Sequence, residues 1–186
     1  VAKELRIPRM IHTSTSEVYG TARTIPISEQ HPLNAQSPYS ASKIAADQLV
    51  KSYYLSYKTP VITIRPFNTY GPRQSLRAII PTIICQILMG SKKITLGTIT
   101  TTRDFSYITD TVSGFISTLN KNDKLIGETI NIGSGKEVSI KDIISLITKI
   151  TGKKSEIEFE SKRKRPFKSE VLRLCSSIKK AEKVLG

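Results

Sequence analysis

Cysteine is scarce in this chain of 186 residues: Cys85 and Cys175 stand far apart, without the spacing of metal ligands. Both read as packing residues of a reducing compartment, and the expected location is cytoplasmic. Histidine is equally rare, with only His12 and His31, so no zinc cluster can be argued. No apolar run approaches the roughly 18–20 residues that cross a bilayer. The longest candidate, Ala78–Met89, is broken by Pro81, Thr82 and Gln86 and predicts a buried or amphipathic helix. No apolar signal-peptide core is expected at the start, and no membrane partner.

Acidic residues are few beside basic ones: 15 Asp and Glu against 29 Lys and Arg, a formal net charge of +14. Such an imbalance suits a polyanionic partner. Much of the excess sits late, from Lys153 and Lys154 through Lys162–Arg165 to Lys183. That stretch has little aromatic interleaving for base stacking, so a solvated basic face is preferred to nucleic-acid binding. A missing acidic portion would inflate the imbalance too.

What is present is an alternation of β-branched runs and helical stretches. Val1–Leu5 reads as the tail of a helix and Arg9–Thr13 as a short buried strand. Thr21–Ser37 is turn-rich. Pro38 suits a helix's first turn and opens a long amphipathic helix over Tyr39–Lys58, with Ile44, Ala45, Leu49, Tyr53 and Leu55 as its apolar positions. Val61–Arg65 predicts a buried parallel strand, ended by the loop Pro66–Pro72. Further on, helices are expected at Ile79–Met89, at Thr111–Asn120 with Asp110 as N-cap, at Ile140–Thr151 between Ser139 and Gly152, and from about Ser177. Strands are expected at Lys93–Leu96, Arg103–Ile108, Glu128–Asn131 and Glu156–Phe159. The pattern predicts an α/β fold, a parallel sheet first and then a smaller mixed lobe.

The strongest chemical signal is Tyr39-Ser-Ala-Ser-Lys43 on the long helix, following Ser14-Thr-Ser-Glu-Val-Tyr-Gly20 at a strand end. Residues four apart share a helical face, and an ammonium close to a phenol favours the phenolate. Tyr39 is thereby a candidate base for a sugar hydroxyl whose carbon loses hydride, with the Thr15 hydroxyl placed to share that hydrogen bond. Alone, Tyr-x-x-x-Lys is a weak signal, equally compatible with an exposed helix face.

The wider set is more specific. Ser14–Gly20, Pro38–Lys43, Arg65-Pro-Phe-Asn-Thr-Tyr-Gly-Pro-Arg73, Thr102-Arg-Asp-Phe-Ser-Tyr-Ile-Thr-Asp110, Asn131-Ile-Gly133 and Arg165-Pro166 follow one another along essentially the whole chain. In this order they resemble the extended short-chain dehydrogenase/reductase family, the NAD-dependent nucleotide-sugar epimerases and dehydratases. The resemblance implies the C-terminal part of a Rossmann-like parallel sheet carrying the catalytic motifs in residues 1–75. Residues 76–186 would be mainly a substrate-binding lobe with interleaved Rossmann elements. It implies Tyr39 and Lys43 as the catalytic pair, which with Pro66 would also contact NAD, and Thr15 as a partner of the sugar 4-hydroxyl. Asn68, Arg77, Arg103 and Arg165 would bind a UDP- or GDP-linked sugar, guanidinium forks being suited to phosphate oxygens.

The reaction type turns on Thr15-Ser16-Glu17. Dehydratases need a carboxylate at the third position to take the C5 proton once C4 is oxidised. Many carry an aspartate at the second as the acid assisting water loss, where this chain has Ser16. A 4,6-dehydratase is therefore expected, with a glucuronate decarboxylase or a 4-epimerase as enzymatic alternatives and a non-catalytic sugar-nucleotide-binding remnant as a third. Arg65–Pro81 looks most like the N-acetylhexosamine-nucleotide dehydratases of nonulosonic (legionaminic) acid synthesis. Such enzymes carry a Gly-rich cofactor turn that does not precede Val1, so an N-terminally truncated chain is expected, homodimeric when full length. Gly133-Ser-Gly-Lys136 is no substitute, since a phosphate loop would need glycine where Ile130 stands.

Overall fold

The computed structural model describes residues 2, 4–91, 93–120, 123–153, 156–160 and 166–186. The strands are β1 (Met10–Thr13), β2 (Val61–Pro66), β3 (Asn68–Tyr70), β4 (Lys93–Leu96), β5 (Thr102–Tyr107), β6 (Thr129–Ile132), β7 (Glu137–Ser139) and β8 (Glu156–Phe159). The helices are α1 (Pro38–Tyr57), α2 (Ile79–Leu88), α3 (Ile108–Asn120), α4 (Ile140–Thr151) and α5 (Lys179–Leu185).

A parallel sheet of order β1-β2-β6 forms the Rossmann-like part. Its middle strand is buried from Val61 through Arg65, as a strand covered on both faces must be. Alternation along the strand separates two environments. Ile62 and Ile64 pack with Ile130, Ile132, Phe115 and Leu185 beneath α3 and α5, while Arg65 meets Asp47 of α1. Arg9, just before β1, donates to the carbonyls of Thr118 at 3.0 Å and Leu119 at 2.6 Å. A cation there satisfies the free carbonyls of the last turn of α3.

The second lobe has an isoleucine-rich core. Ile83 and Ile87 of α2, Ile94 and Leu96 of β4, and Ile140, Ile143, Ile144 and Ile147 of α4 are all buried together. Ser139 caps α4 by accepting the amide of Asp142 at 3.1 Å, and Gly152 ends it at φ 67°. Between the lobes, β5 pairs with β3 in parallel and with β7 antiparallel.

Three expectations are refined. Asp110 is not an N-cap: β5 runs straight into α3, which starts at Ile108 and places Asp110 in its first turn. Helix α5 starts at Lys179 rather than Ser177, whose amide donates to the Ile27 carbonyl at 2.8 Å. Of the apolar positions on α1, Ile44 packs inward while Leu49, Tyr53 and Leu55 stay exposed. Lys43 and Asp47 add polar inward contacts from α1. Near the start, the Ile7 amide reaches the Ala2 carbonyl at 3.1 Å with Arg6 at φ 48°, the closing geometry of a helix C-terminus.

Candidate active site

β1 ends at Thr13, and the Ser14 amide continues its register by reaching the Ile64 carbonyl at 2.8 Å. The chain then tightens into a short 3-10 turn, Ser16–Tyr19, whose N-cap is Thr15: its hydroxyl oxygen accepts the Glu17 amide at 3.2 Å. Gly20 closes the turn at φ 62°, where a Cβ would stand 2.6 Å from the Asn34 carbonyl oxygen, so this corner needs glycine. Ser16 is buried within the turn. The Thr15 oxygen faces its own turn, and no hydrogen bond joins Thr15 to Tyr39 among the described residues.

Tyr39 lies in the first turn of α1, which is started by a reciprocal cap between Ser37 and Ser40. Its side chain is half exposed. One turn on, the Lys43 ammonium donates to the Thr13 carbonyl at 3.0 Å, which anchors the pair at the carboxyl end of β1. In open α/β sheets ligands bind outside this end of the strands. An ammonium has three donors, so two remain for a ligand. Pro66 ends β2 opposite Ile132.

A cleft of about 370 Å³ opens beside the Glu17 turn, lined by Glu17, Asn68, Gln74, Arg77, Arg103 and Glu170 among others. Its floor follows from strand pairing. Asn68 sits opposite Phe105, and alternation puts Arg103 and Phe105 on that same face of β5. The Asn68 Oδ1 atom is buried with no hydrogen-bond partner, an acceptor that a ligand hydroxyl or amide would satisfy. The Arg103 guanidinium donates to the Thr102 carbonyl at 2.9 Å and lies 3.6 Å from the Glu170 carboxylate. Arg77 stands exposed on the rim. The cleft thus gathers Glu17, Asn68, Arg77 and Arg103 from separate segments, whereas Thr15, Ser16, Tyr39, Lys43 and Pro66 do not line it. Arg165 lies outside the described residues.

The opposite face of β5 carries Asp104, fully buried. Its carboxylate accepts the Ser134 amide at 2.7 Å, the Ser134 hydroxyl at 2.6 Å, and the Gly135 and Ser176 amides at 3.0 Å each. The Gly133–Gly135 loop therefore spends two of its amides on a protein carboxylate rather than on phosphate. A Cβ on Gly133 would lie 2.4 Å from Ser176 Cβ. The same tie holds residues 172–176 beside β5, where the Thr102 amide reaches the Leu172 carbonyl at 3.0 Å, and so fixes the approach of Glu170.

Sequence reasoning missed Glu170 and assigned no role to Gln74. The available signal was a lone carboxylate within a basic segment, four residues after Pro166. A second cleft of about 380 Å³ lies between α1 and the β2–β6 edge and includes none of the expected site residues. Within it Arg65 pairs with Asp47 and Lys180 with Glu128. Among the described residues no group of three His, Cys, Asp or Glu could hold a metal, and no helix is long and apolar enough to cross a membrane.

The GDP-mannose 4,6 dehydratase family model matches residues 1–186. The chain belongs to that family. It is 39% identical over 161 residues to a dTDP-D-glucose 4,6-dehydratase of Bos taurus, covering 84% of this chain and 44% of the relative. Its fold matches UDP-glucuronic acid 4-epimerase from Bacillus cereus, solved with UDP-glucuronic acid and NAD, at TM-score 0.91 and 34% identity, covering 99% of this chain and 57% of that one. It also matches DesIV, a dTDP-glucose 4,6-dehydratase from Streptomyces venezuelae, solved with NAD and TYD bound, at TM-score 0.89 and 28% identity, covering 100% and 56%. The family is that of the NAD-dependent nucleotide-sugar dehydratases and epimerases of the extended short-chain dehydrogenase/reductase type expected from the motifs, and the fold is its Rossmann-like one. The chain spans about half the length of these relatives.

Proposed function

We propose that this chain is the catalytic and substrate-binding part of a nucleotide-sugar 4,6-dehydratase. The cleft that gathers Glu17, Asn68, Arg77 and Arg103 carries the reading. In it, Arg103 and Arg77 bind the diphosphate of a UDP- or GDP-linked sugar, Arg165 assists, and Asn68 bonds the nucleotide diphosphate side. Residues 1–75 supply the catalytic motifs and residues 76–186 mainly the substrate lobe.

Lys43 and Tyr39 fit the nicotinamide end of NAD: the ammonium keeps two donors for ribose hydroxyls, and the phenol stands half exposed at the strand ends. The 186 residues contain no Gly-x-x-Gly-x-x-Gly turn, so none of them is assigned to the cofactor pyrophosphate. When bound, NAD supplies the hydride acceptor and later the hydride donor. Tyr39 takes the proton of the C4 hydroxyl as hydride leaves C4, and Thr15 holds that oxygen. The new ketone acidifies the C5 proton, which Glu17 removes. Hydroxide leaves C6, takes up the proton that Glu17 removed and departs as water, while the proton on Tyr39 passes to solvent, from which C5 is later reprotonated. Hydride returns to C6 and a proton to C5, giving a 4-keto-6-deoxy sugar.

The sugar is best taken as an N-acetylhexosamine. The likeness to TunA, an NAD-dependent NDP-hexosamine 5,6-dehydratase, supports this at TM-score 0.89 and 27% identity. The exposed apolar stripe Leu49, Tyr53 and Tyr57 on α1 supports a homodimer in the full-length enzyme.

The test is turnover of UDP- and GDP-N-acetylglucosamine by the full-length enzyme in deuterium oxide. A 4-keto-6-deoxy product labelled at C5 is expected. Inversion at C4 with the C5 hydrogen retained would make it a 4-epimerase, as the Bacillus cereus likeness favours. Carbon dioxide release from a UDP-glucuronate substrate would make it a decarboxylase.

A further inference from the structure

Behind the candidate catalytic groups runs a buried polar chain that the proposed reaction does not use. Arg65 of β2 is its centre. Its Nε and Nη2 donate to one oxygen of Asp47 at 3.1 and 2.9 Å, and its Nη1 donates to the Tyr19 hydroxyl at 2.9 Å. The other Asp47 oxygen lies 2.8 Å from His12 Nε2, and the Tyr19 hydroxyl donates to Asn131 Oδ1 at 2.7 Å. The guanidinium also sits 5.0 Å from the Tyr19 ring centroid. Tyr19, Asp47, Arg65 and Asn131 are all buried. Burial pushes the Tyr19 phenol above its ordinary value, only partly offset by the neighbouring guanidinium, in keeping with a hydroxyl that both donates and accepts here.

The placement of the two ends is informative. Tyr19 is the last residue of the turn that carries Ser16 and Glu17. Asp47 lies one helical turn after Lys43 and two after Tyr39, on the same face. His12, at the far end, precedes the residue whose carbonyl anchors Lys43. The catalytic groups therefore sit on two separate elements, and one guanidinium grips both. We propose that Arg65 is a positioning residue that sets the Glu17 turn against the Tyr39–Lys43 helix, holding Tyr19 in one hand and Asp47 in the other. This rests on the dehydratase reading above. Its arms act on different half-reactions. The Tyr19 arm governs the C5 proton step at Glu17, and the Asp47 arm governs the C4 step at Tyr39.

The test reads the two steps separately in full-length, NAD-bound enzyme supplied with nucleotide sugar: nicotinamide reduction by absorbance, and deuterium uptake at C5 by mass spectrometry. Tyr19→Phe removes only the hydroxyl. It is expected to slow deuterium uptake about tenfold more than nicotinamide reduction, a misplacement effect on one step. Asp47→Asn is expected to slow nicotinamide reduction at least about tenfold, while Tyr19→Phe leaves that step within about twofold of wild type. Arg65→Lys should restore part of what Arg65→Met loses, and if Arg65→Met does not fold, the two arm variants carry the test alone. Equal losses of both steps in Tyr19→Phe, or unchanged nicotinamide reduction in Asp47→Asn, would overturn the proposal and leave Arg65 a core ion pair. A wild-type enzyme that reduces nicotinamide without C5 exchange would instead overturn the dehydratase reading, and the Asp47 arm would still be tested by the first readout.

Discussion

Arg103 and Glu170 face each other 3.6 Å apart at the cleft, their side chains 10% and 14% exposed. A cation in so sheltered a place has little water to compete for an incoming phosphate, so its charge-assisted bonds are worth more than surface ones. Arg103→Ala should weaken UDP or GDP binding by about ten- to a hundredfold, the equivalent of roughly 1.5–3 kcal/mol, measured by titration calorimetry on the full-length protein. Arg103→Lys should recover only part of it. An unchanged affinity would remove Arg103 from the phosphate site.

Tyr39 and Glu17 belong to different elements, α1 and the Ser16–Tyr19 turn, and their variants should fail differently. Tyr39→Phe should lower nicotinamide reduction by about 10²–10⁴-fold while leaving nucleotide affinity intact, because Tyr39 does not line the cleft. Glu17→Gln should still reduce nicotinamide and stall before C5 exchange. Rapid-mixing absorbance and mass spectrometry distinguish the two, and a Glu17→Gln enzyme with full product formation would clear Glu17 of the elimination step.

Asp104→Asn should be costly despite its near-identical shape. One of its oxygens becomes an NH2 that must face amide donors, from Ser134 in one rotamer or from Gly135 and Ser176 in the other. Leaving such buried donors unmet costs about 2–4 kcal/mol. Urea unfolding of the variant against wild type measures it, and a loss below the scatter of the method would show that the loop and the Ser176 strand hold without the carboxylate.

The Arg173 hydrogen bond, with help from Thr102 and against partial burial, holds the Glu137 carboxyl below its ordinary value of 4.5. A group whose folded-state value is depressed contributes stability that is whole above its unfolded value and fades as the pH falls through the folded one. The pair is substantially exposed, so the contribution is small and screened by salt. Melting temperatures of wild type and Glu137→Gln should converge as the pH drops below 4.5, and parallel curves across that range would count against the pair.

Helix α1 leaves Leu49 61% and Tyr53 46% exposed on neighbouring turns. Leu49→Glu combined with Tyr53→Glu should shift a full-length dimer towards monomer in sedimentation velocity, since a charge placed in an apolar contact is strongly unfavourable. No change in a dimeric protein would place the contact elsewhere.

Much of this is legible in the sequence alone, and the reasons are local. Val61–Arg65 could hardly be anything but a covered strand, with four of five residues β-branched. Ser139 and Gly152 bracket α4 by side-chain and backbone chemistry that needs no tertiary partner. The cleft residues Asn68 and Arg103 were flagged by their motifs. What escaped depended on distant pairings. Glu170 enters the cleft only because residues 172–176 are held along β5 by Asp104 and the Thr102 backbone. Arg65 read as an ordinary strand end, since its partners Tyr19 and Asp47 lie 46 and 18 residues away. Asp110 reads as an N-cap because nothing in a sequence announces that a strand will flow into a helix without a cap, as β5 does into α3.

The two sides of the cleft differ in how freely they can be rewritten. Asn68, Arg103 and Phe105 stand on paired strands whose reverse face is locked by Asp104. Gln74 and Arg77, together with Gly97 and Thr98, come from connecting segments outside the strands and helices, where exchange disturbs no ladder. Diversification of this scaffold towards new sugars or bases should therefore proceed by grafting the segments 71–78 and 97–101 between members. The β3–β5 ribbon would stay constant as the chassis on which each new specificity is mounted.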